Sequence, residues 1–128
     1  MTTESTESEG TERSESFPRS LRLRTRREFL RVQDRGRKVV IGPILALALP
    51  NDRGVTRIGL TVSTKVGNAV TRVRIRRKLR ELFRKQRHLL PEGIDLVLIA
   101  RASAAEADFA ELSRTFEAIA RKLRGMFA

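Results

Sequence analysis

The chain has 128 residues, no cysteine, 27 Lys and Arg against 15 Asp and Glu, and a formal net charge of +12. That length suits one ordinary domain with its own core; the missing cysteines exclude disulfides and thiolate metal sites, and no apolar run approaches the roughly 18–20 residues of a membrane span. A basic, arginine-rich surface of this kind seeks a polyanion, and nucleic acid is the usual one.

The N-terminus has neither the basic start nor the apolar stretch of a secretory signal, so a soluble cytoplasmic protein is expected. Residues 1–16 hold Glu4, Glu7, Glu9, Glu12 and Glu15 against Arg13 alone, with no apolar residue after Met1. This acidic tail is predicted to be disordered, which leaves residues 17–128 as a single domain. Thr25 followed by Glu28 is a capping-box pattern, and Phe29 and Val32 share a helical face beyond it. A first helix is predicted over Arg26–Arg35, ended by Gly36. Val39–Ile41 and Ile44–Leu49 read as two strands split by Gly42-Pro43 and closed by Pro50-Asn51-Asp52. In Arg57–Ser63, Ile58, Leu60 and Val62 alternate with Gly59, Thr61 and Ser63, a third strand with one buried face. Ile94–Ala100, where Asp95 is the only charge, reads as a fourth and more deeply buried strand. Asp108 to Arg124 closes the domain as an amphipathic helix with Phe109, Leu112, Phe116, Ile119, Ala120 and Leu123 on one side.

Between strands three and four, residues 65–87 carry ten Lys or Arg and a single acid, Glu81. Asn68 is a good N-cap, no Gly or Pro follows, and a helix of about 20 residues is predicted. At 100° per residue, Ile75, Leu79, Leu82 and Phe83 form one stripe that must lie on the sheet. Arg76, Arg77, Arg80 and Arg84 fall on the opposite side, flanked by Arg74, Lys78 and Lys85, which is the arrangement of a helix whose outer face meets phosphate. Val73 projects among these arginines. A second basic cluster runs from Arg19 to Lys38; within it Arg22, Arg24, Arg26 and Arg27 form a flexible arm able to reach phosphates. The element order is α-β-β-β-α-β-α, an α+β fold built as a two-layer α/β sandwich on a four-stranded sheet.

No catalytic residue emerges. His88 is the one histidine and has no partner at a telling spacing; no paired carboxylates and no metal-ligand cluster stand near the arginine face. A ribosomal or translation-linked RNA-binding protein would share the composition and the helix pattern. A reader of duplex DNA fits less well, because no short second helix accompanies the basic one.

Lys65, Gly67, Ala69-Val70, Arg72-Val73-Arg74, Ile75, Arg76-Arg77 and Arg80, in that order, resemble the signature of the protein subunit of bacterial ribonuclease P. Arg26-Arg27-Glu28-Phe29, the Arg57–Ser63 strand and Asp95–Arg101 are similar to the same family, and the likeness runs from about residue 19 to 124. It implies a ribosomal protein S5 domain 2-like fold, with strands three and four parallel and joined by a left-handed βαβ crossover. It also implies a role as accessory protein of an endoribonuclease that matures tRNA 5′ ends, in which the RNA subunit is the catalyst and uses Mg2+. The implied partners are that catalytic RNA and precursor tRNA, with no obligate protein partner, no membrane and no cofactor bound by the protein itself. Carried over residue by residue, Lys65, Arg72, Arg74, Arg76, Arg77 and Arg80 would contact the catalytic RNA, with Arg84 continuing the same face. The 5′ leader would lie in a cleft by the first helix, at Phe29, Gln33 and Leu47 with Arg22 and Arg24. This chain departs from the family there: Gln33 and Leu47 stand where aromatic residues are expected, and Val73 replaces an asparagine. Each stacking platform is worth about 1–3 kcal/mol, so weaker or differently read leader binding is expected.

Overall fold

Three side-chain caps fix where the helices begin. Thr25 Oγ1 accepts from the Glu28 N–H at 3.1 Å while the Glu28 carboxylate accepts from the Thr25 N–H at 3.1 Å, a reciprocal pair that satisfies two otherwise orphaned donors. Asn68 Oδ1 accepts from the Thr71 N–H at 2.9 Å, and Asp108 Oδ1 from the Glu111 N–H at 2.8 Å. Such caps are each worth about 1 kcal/mol. They start α1 (Arg26–Arg35), α2 (Ala69–Gln86) and α3 (Phe109–Met126). This computed structural model describes residues 19–127; the acidic segment 1–16 and its predicted disorder lie outside them.

Four strands, β1 (Arg37–Ile41), β2 (Ile44–Pro50), β3 (Arg57–Thr61) and β4 (Ile94–Ala100), form one sheet in the order β1-β2-β4-β3. The β1–β2 and β2–β4 pairs are antiparallel and β3–β4 is parallel, so α2 is the crossover between two parallel neighbours. The α+β class and the order of elements are those the sequence predicts.

Alternation along the central strands sorts two cores. Ile44, Ala46 and Ala48 of β2, with Leu96, Leu98 and Ala100 of β4, meet the buried stripes of α2 and α3. Leu45, Leu47 and Leu49, with Val97 and Ile99, point the other way, toward α1 and its fully buried Val32. Cover on both faces is why β4 reads as an almost unbroken apolar run.

Several local expectations are corrected. β3 ends at Thr61, and both its faces are covered at its start, since Arg57 and Gly59 are buried as well as Ile58. Gly36 does not adopt the left-handed conformation common after helices; its φ is −74°. A glycine stands there because a Cβ would strike the Val32 carbonyl oxygen and crowd the Ala48 backbone. Phe109, placed by pattern on the core side of α3, is 39% exposed, and the buried stripe begins one turn later at Leu112.

Candidate nucleic-acid interface

The apolar side of α2 is the predicted one: Ile75, Leu79, Leu82 and Phe83 are its buried residues. Burying four large side chains fixes the helix's rotation, and the rotation decides where every arginine goes. The outer crest carries Arg77 and Arg84, together with Val70 and Val73, which are 74% and 45% exposed. Arg74, Lys78 and Lys85 form one flank. Arg76 and Arg80, expected on the outer side, lie instead on the other flank with Arg72, toward β3 and the segment that precedes α1.

These cations are not equivalent. Arg84 donates to both oxygens of Glu81, through Nη2 at 2.6 Å and Nε at 3.3 Å, and Lys85 Nζ lies 3.5 Å from the same carboxylate. The hydrogen bond from Arg84 holds the Glu81 carboxyl below its ordinary pKa. Arg72 Nη1 donates to the Gly67 carbonyl at 2.9 Å, bracing the strand-to-helix connection, and Arg74 Nη2 reaches Thr71 Oγ1 at 3.4 Å. Arg76, Arg77 and Arg80 form no ion pair with a described carboxylate. Lys65 is exposed on the connection just ahead of α2.

The segment before α1 is not a loose arm. Leu23 is buried in the second core, its N–H donates to the Ile58 carbonyl at 2.9 Å, and Arg22 forms a parallel bridge with Ile58. The arm therefore runs along the outer edge of β3. Between it and α2 lies a groove of about 370 Å³. Arg22 and Arg24 form one wall, Arg76 and Arg80 the other, and Phe29 with the β3 residues Ile58 to Leu60 the floor. No described carboxylate lines it. Partial burial, reinforced by Arg22, Arg76 and Arg77, holds the Arg80 guanidinium below its ordinary pKa. Positive charges brought this close are a standing attraction for phosphate.

Beneath the groove sits a buried ionic cluster that sequence reasoning missed. Arg57 and Asp95 face each other in the parallel β3–β4 register. Arg57 Nε and Nη2 donate to the two Asp95 oxygens at 2.9 and 2.8 Å, and Asn51 Nδ2 donates to Asp95 Oδ1 at 2.8 Å. The remaining Arg57 nitrogen, Nη1, donates to Glu28 Oε2 at 3.1 Å, while Glu28 Oε1 accepts from the backbone N–H of Arg24 at 2.7 Å. Burial alone would raise the Glu28 pKa; the backbone N–H groups of Arg24 and Thr25 and the Arg57 charge overcome it and bring the value down to about 2. The hydrogen bond with Asp95 keeps Arg57 above its ordinary value despite burial. An aspartate inside an apolar strand was the available signal, because a buried carboxylate needs a partner.

Of the residues the sequence assigns to the leader, Phe29, Arg22 and Arg24 come together in this groove. Gln33 is exposed one turn further along α1 and does not line it. Leu47 is 8% exposed among Val32 and Val97, on the face of β2 that α1 covers, and offers no surface to a ligand. His88 is exposed at the far end of α2, in a separate depression with Arg87 and Glu92. Among the described residues, no group of three or more His, Asp or Glu is placed to hold a metal ion, and no helix is long and apolar enough to cross a membrane.

The family model described as Ribonuclease P matches residues 17–124. A ribonuclease P protein component from Citrifermentans bemidjiense is 38% identical over 115 residues, covering 90% of this chain and 98% of the relative. One from Gluconacetobacter diazotrophicus is 48% identical over 96 residues, 73% of this chain and 83% of the relative. Among solved structures, the ribonuclease P protein of Thermotoga maritima superposes with a TM-score of 0.74 at 30% identity, covering 79% of this chain and 96% of its own. That of Staphylococcus aureus gives 0.74 at 27% identity, covering 84% and 98%.

Proposed function

The chain belongs to the ribonuclease P protein family, and from that premise we propose that its two basic surfaces divide the work of the holoenzyme. As the protein subunit of this tRNA-processing ribonucleoprotein, it pairs with the ribonuclease P RNA through the crest and flanks of α2. Lys65, Arg72, Arg74 and Arg77 supply the phosphate contacts, while Arg76 and Arg80, which the resemblance groups with them, face the groove. Arg84 contributes less, because Glu81 already holds it. The groove takes the single-stranded 5′ leader of precursor tRNA. No second protein is required, and the setting is the cytoplasm.

The observation that carries this reading is the groove itself: two arginine walls with an aromatic ring between them. Phosphates on either side of an extended strand meet Arg22 and Arg24 on one wall and Arg76 and Arg80 on the other. A base in between packs on Phe29. Neutralising phosphates releases condensed counterions, which gives affinity without sequence preference, and that suits leaders of differing sequence. Among the described residues no carboxylate cluster is placed for a magnesium ion; the Mg2+ of the reaction belongs with the RNA. The chain's part is to bind and orient the substrate and to lower the repulsion between two RNAs.

Cleavage of precursor tRNA by the same bacterium's ribonuclease P RNA at low magnesium, with and without the chain, tests the reading. Protein-dependent release of the leader is expected. Tight RNA binding with no gain in cleavage would contradict it.

A further inference from the structure

The groove's outer wall is held in place against electrostatic repulsion. Arg22 is among the charges that press on Arg80 from across the groove, and Arg24 extends the same arm. Left to itself, a segment carrying two arginines would move away from a helix that presents two more. Burial of Leu23 and its backbone bond to Ile58 fix the middle of the arm. What fixes its junction with α1 is Glu28, whose Oε1 accepts from both the Arg24 and the Thr25 N–H. Glu28 is in turn gripped by Arg57.

Arg57 is 8% exposed and does not line the groove. Its planar fork spends two nitrogens on Asp95 and the third on Glu28, so it joins β3, β4 and the start of α1 in one rigid relay. Fold stability alone does not call for such a device, because well-packed apolar residues commonly replace a buried ion pair at no loss. A directional link that sets the position of a charged arm cannot be replaced that way.

We propose that Arg57 is a positioning residue for RNA binding, acting through Glu28 to hold Arg22 and Arg24 opposite Arg76 and Arg80 before the RNA arrives. The repulsion among the four arginines is then met during folding rather than on binding, which is how preorganisation raises affinity. The inference rests on the groove being the leader site. Because the relay ends at the arm and α1, its influence falls on the leader and leaves the contacts of the α2 crest with the catalytic RNA unchanged.

The test uses the holoenzyme reconstituted with the same bacterium's ribonuclease P RNA. Binding of precursor tRNA with a leader is compared with binding of mature tRNA for Glu28→Gln, Arg57→Lys and, as a reference for groove loss, Phe29→Ala. Glu28→Gln keeps the side chain's size and one carbonyl oxygen for the arm's N–H groups, so it reports on the relay even where Arg57→Lys damages folding. The expected result is a loss of about three- to tenfold in the preference for precursor over mature tRNA in both relay variants. Catalytic-RNA affinity should stay at the wild-type level, and the Arg24 amide should exchange faster in Arg57→Lys. A loss of leader preference in Phe29→Ala alone overturns the positioning role and leaves the groove assignment standing. Leader preference intact in all three variants overturns both. Equal losses of leader preference and catalytic-RNA affinity in Glu28→Gln would mark a general structural role and also overturn the positioning role.

Discussion

Phe29 occupies the space that a side chain on Gly59 would need: a Cβ there would lie 2.5 Å from the ring's Cζ. The aromatic floor of the groove thus depends on a missing atom in a different element. Gly59→Ala is expected to push the ring from its seat, costing about 1–3 kcal/mol of stability as other overpacked sites do and weakening leader binding together with it. Thermal unfolding and precursor-tRNA binding measure the two effects.

Arg77 and Arg84 share the crest of α2, but only Arg84 is paired with a described carboxylate, Glu81 at 2.6 Å. Arg77→Ala should weaken binding to the catalytic RNA and reduce the slope of log affinity against log salt by about 0.7–0.9, the value of one phosphate contact. Arg84→Ala should change that slope less. Equal losses in a salt titration of the two variants would refute the difference.

Asp95→Asn leaves the Arg57 charge buried with one fewer formal partner. A destabilisation of about 3–5 kcal/mol is expected from breaking a buried pair on one side only. The double change Arg57→Met with Asp95→Leu should cost much less, as urea unfolding of the three proteins would reveal.

Glu28 titrates near 2 in the folded chain against an ordinary 4.5. The folded value is the lower one, so the unfolded chain binds this proton first as acid is added. The stabilisation from Glu28 is complete above about pH 4.5 and is lost as the pH falls toward 2. Glu28→Gln should flatten that part of the stability–pH curve and leave its shape at neutral pH unchanged.

Val73 is 45% exposed on the crest, beside Arg77 and Arg74. Val73→Asn should leave stability within about 0.5 kcal/mol, as surface changes usually do, and strengthen binding to the catalytic RNA. An unchanged affinity would show that its neighbours already supply the contact.

What was legible in the sequence was local. Thr25 with Glu28, Asn68 and the stripe from Ile75 to Phe83 gave α1 and α2 their bounds and their orientation, because caps and helical periodicity act within a few residues. Arg77 and Arg84 on the crest followed from that rotation alone, whereas the turn of Arg76 and Arg80 toward the groove did not. Features that depend on distant approach were not legible. The bond between Leu23 and Ile58 converts what reads as a flexible arginine arm into a wall, and nothing in residues 19–25 announces it. The Arg57–Asp95 pair needs the parallel register of two strands 38 residues apart, and the burial of Leu47 needs to be known from which face of β2 lies under α1. The first two of these contacts are the ones that seat the groove's outer wall.

The most direct test of the groove is photo-crosslinking from single thiolated uridines in the leader of precursor tRNA bound to the holoenzyme. Adducts on the stretch from Arg22 to Phe29 and on Ile58 to Leu60 are predicted. Adducts confined to α3, or to the depression around His88, with none at Phe29, would contradict the account.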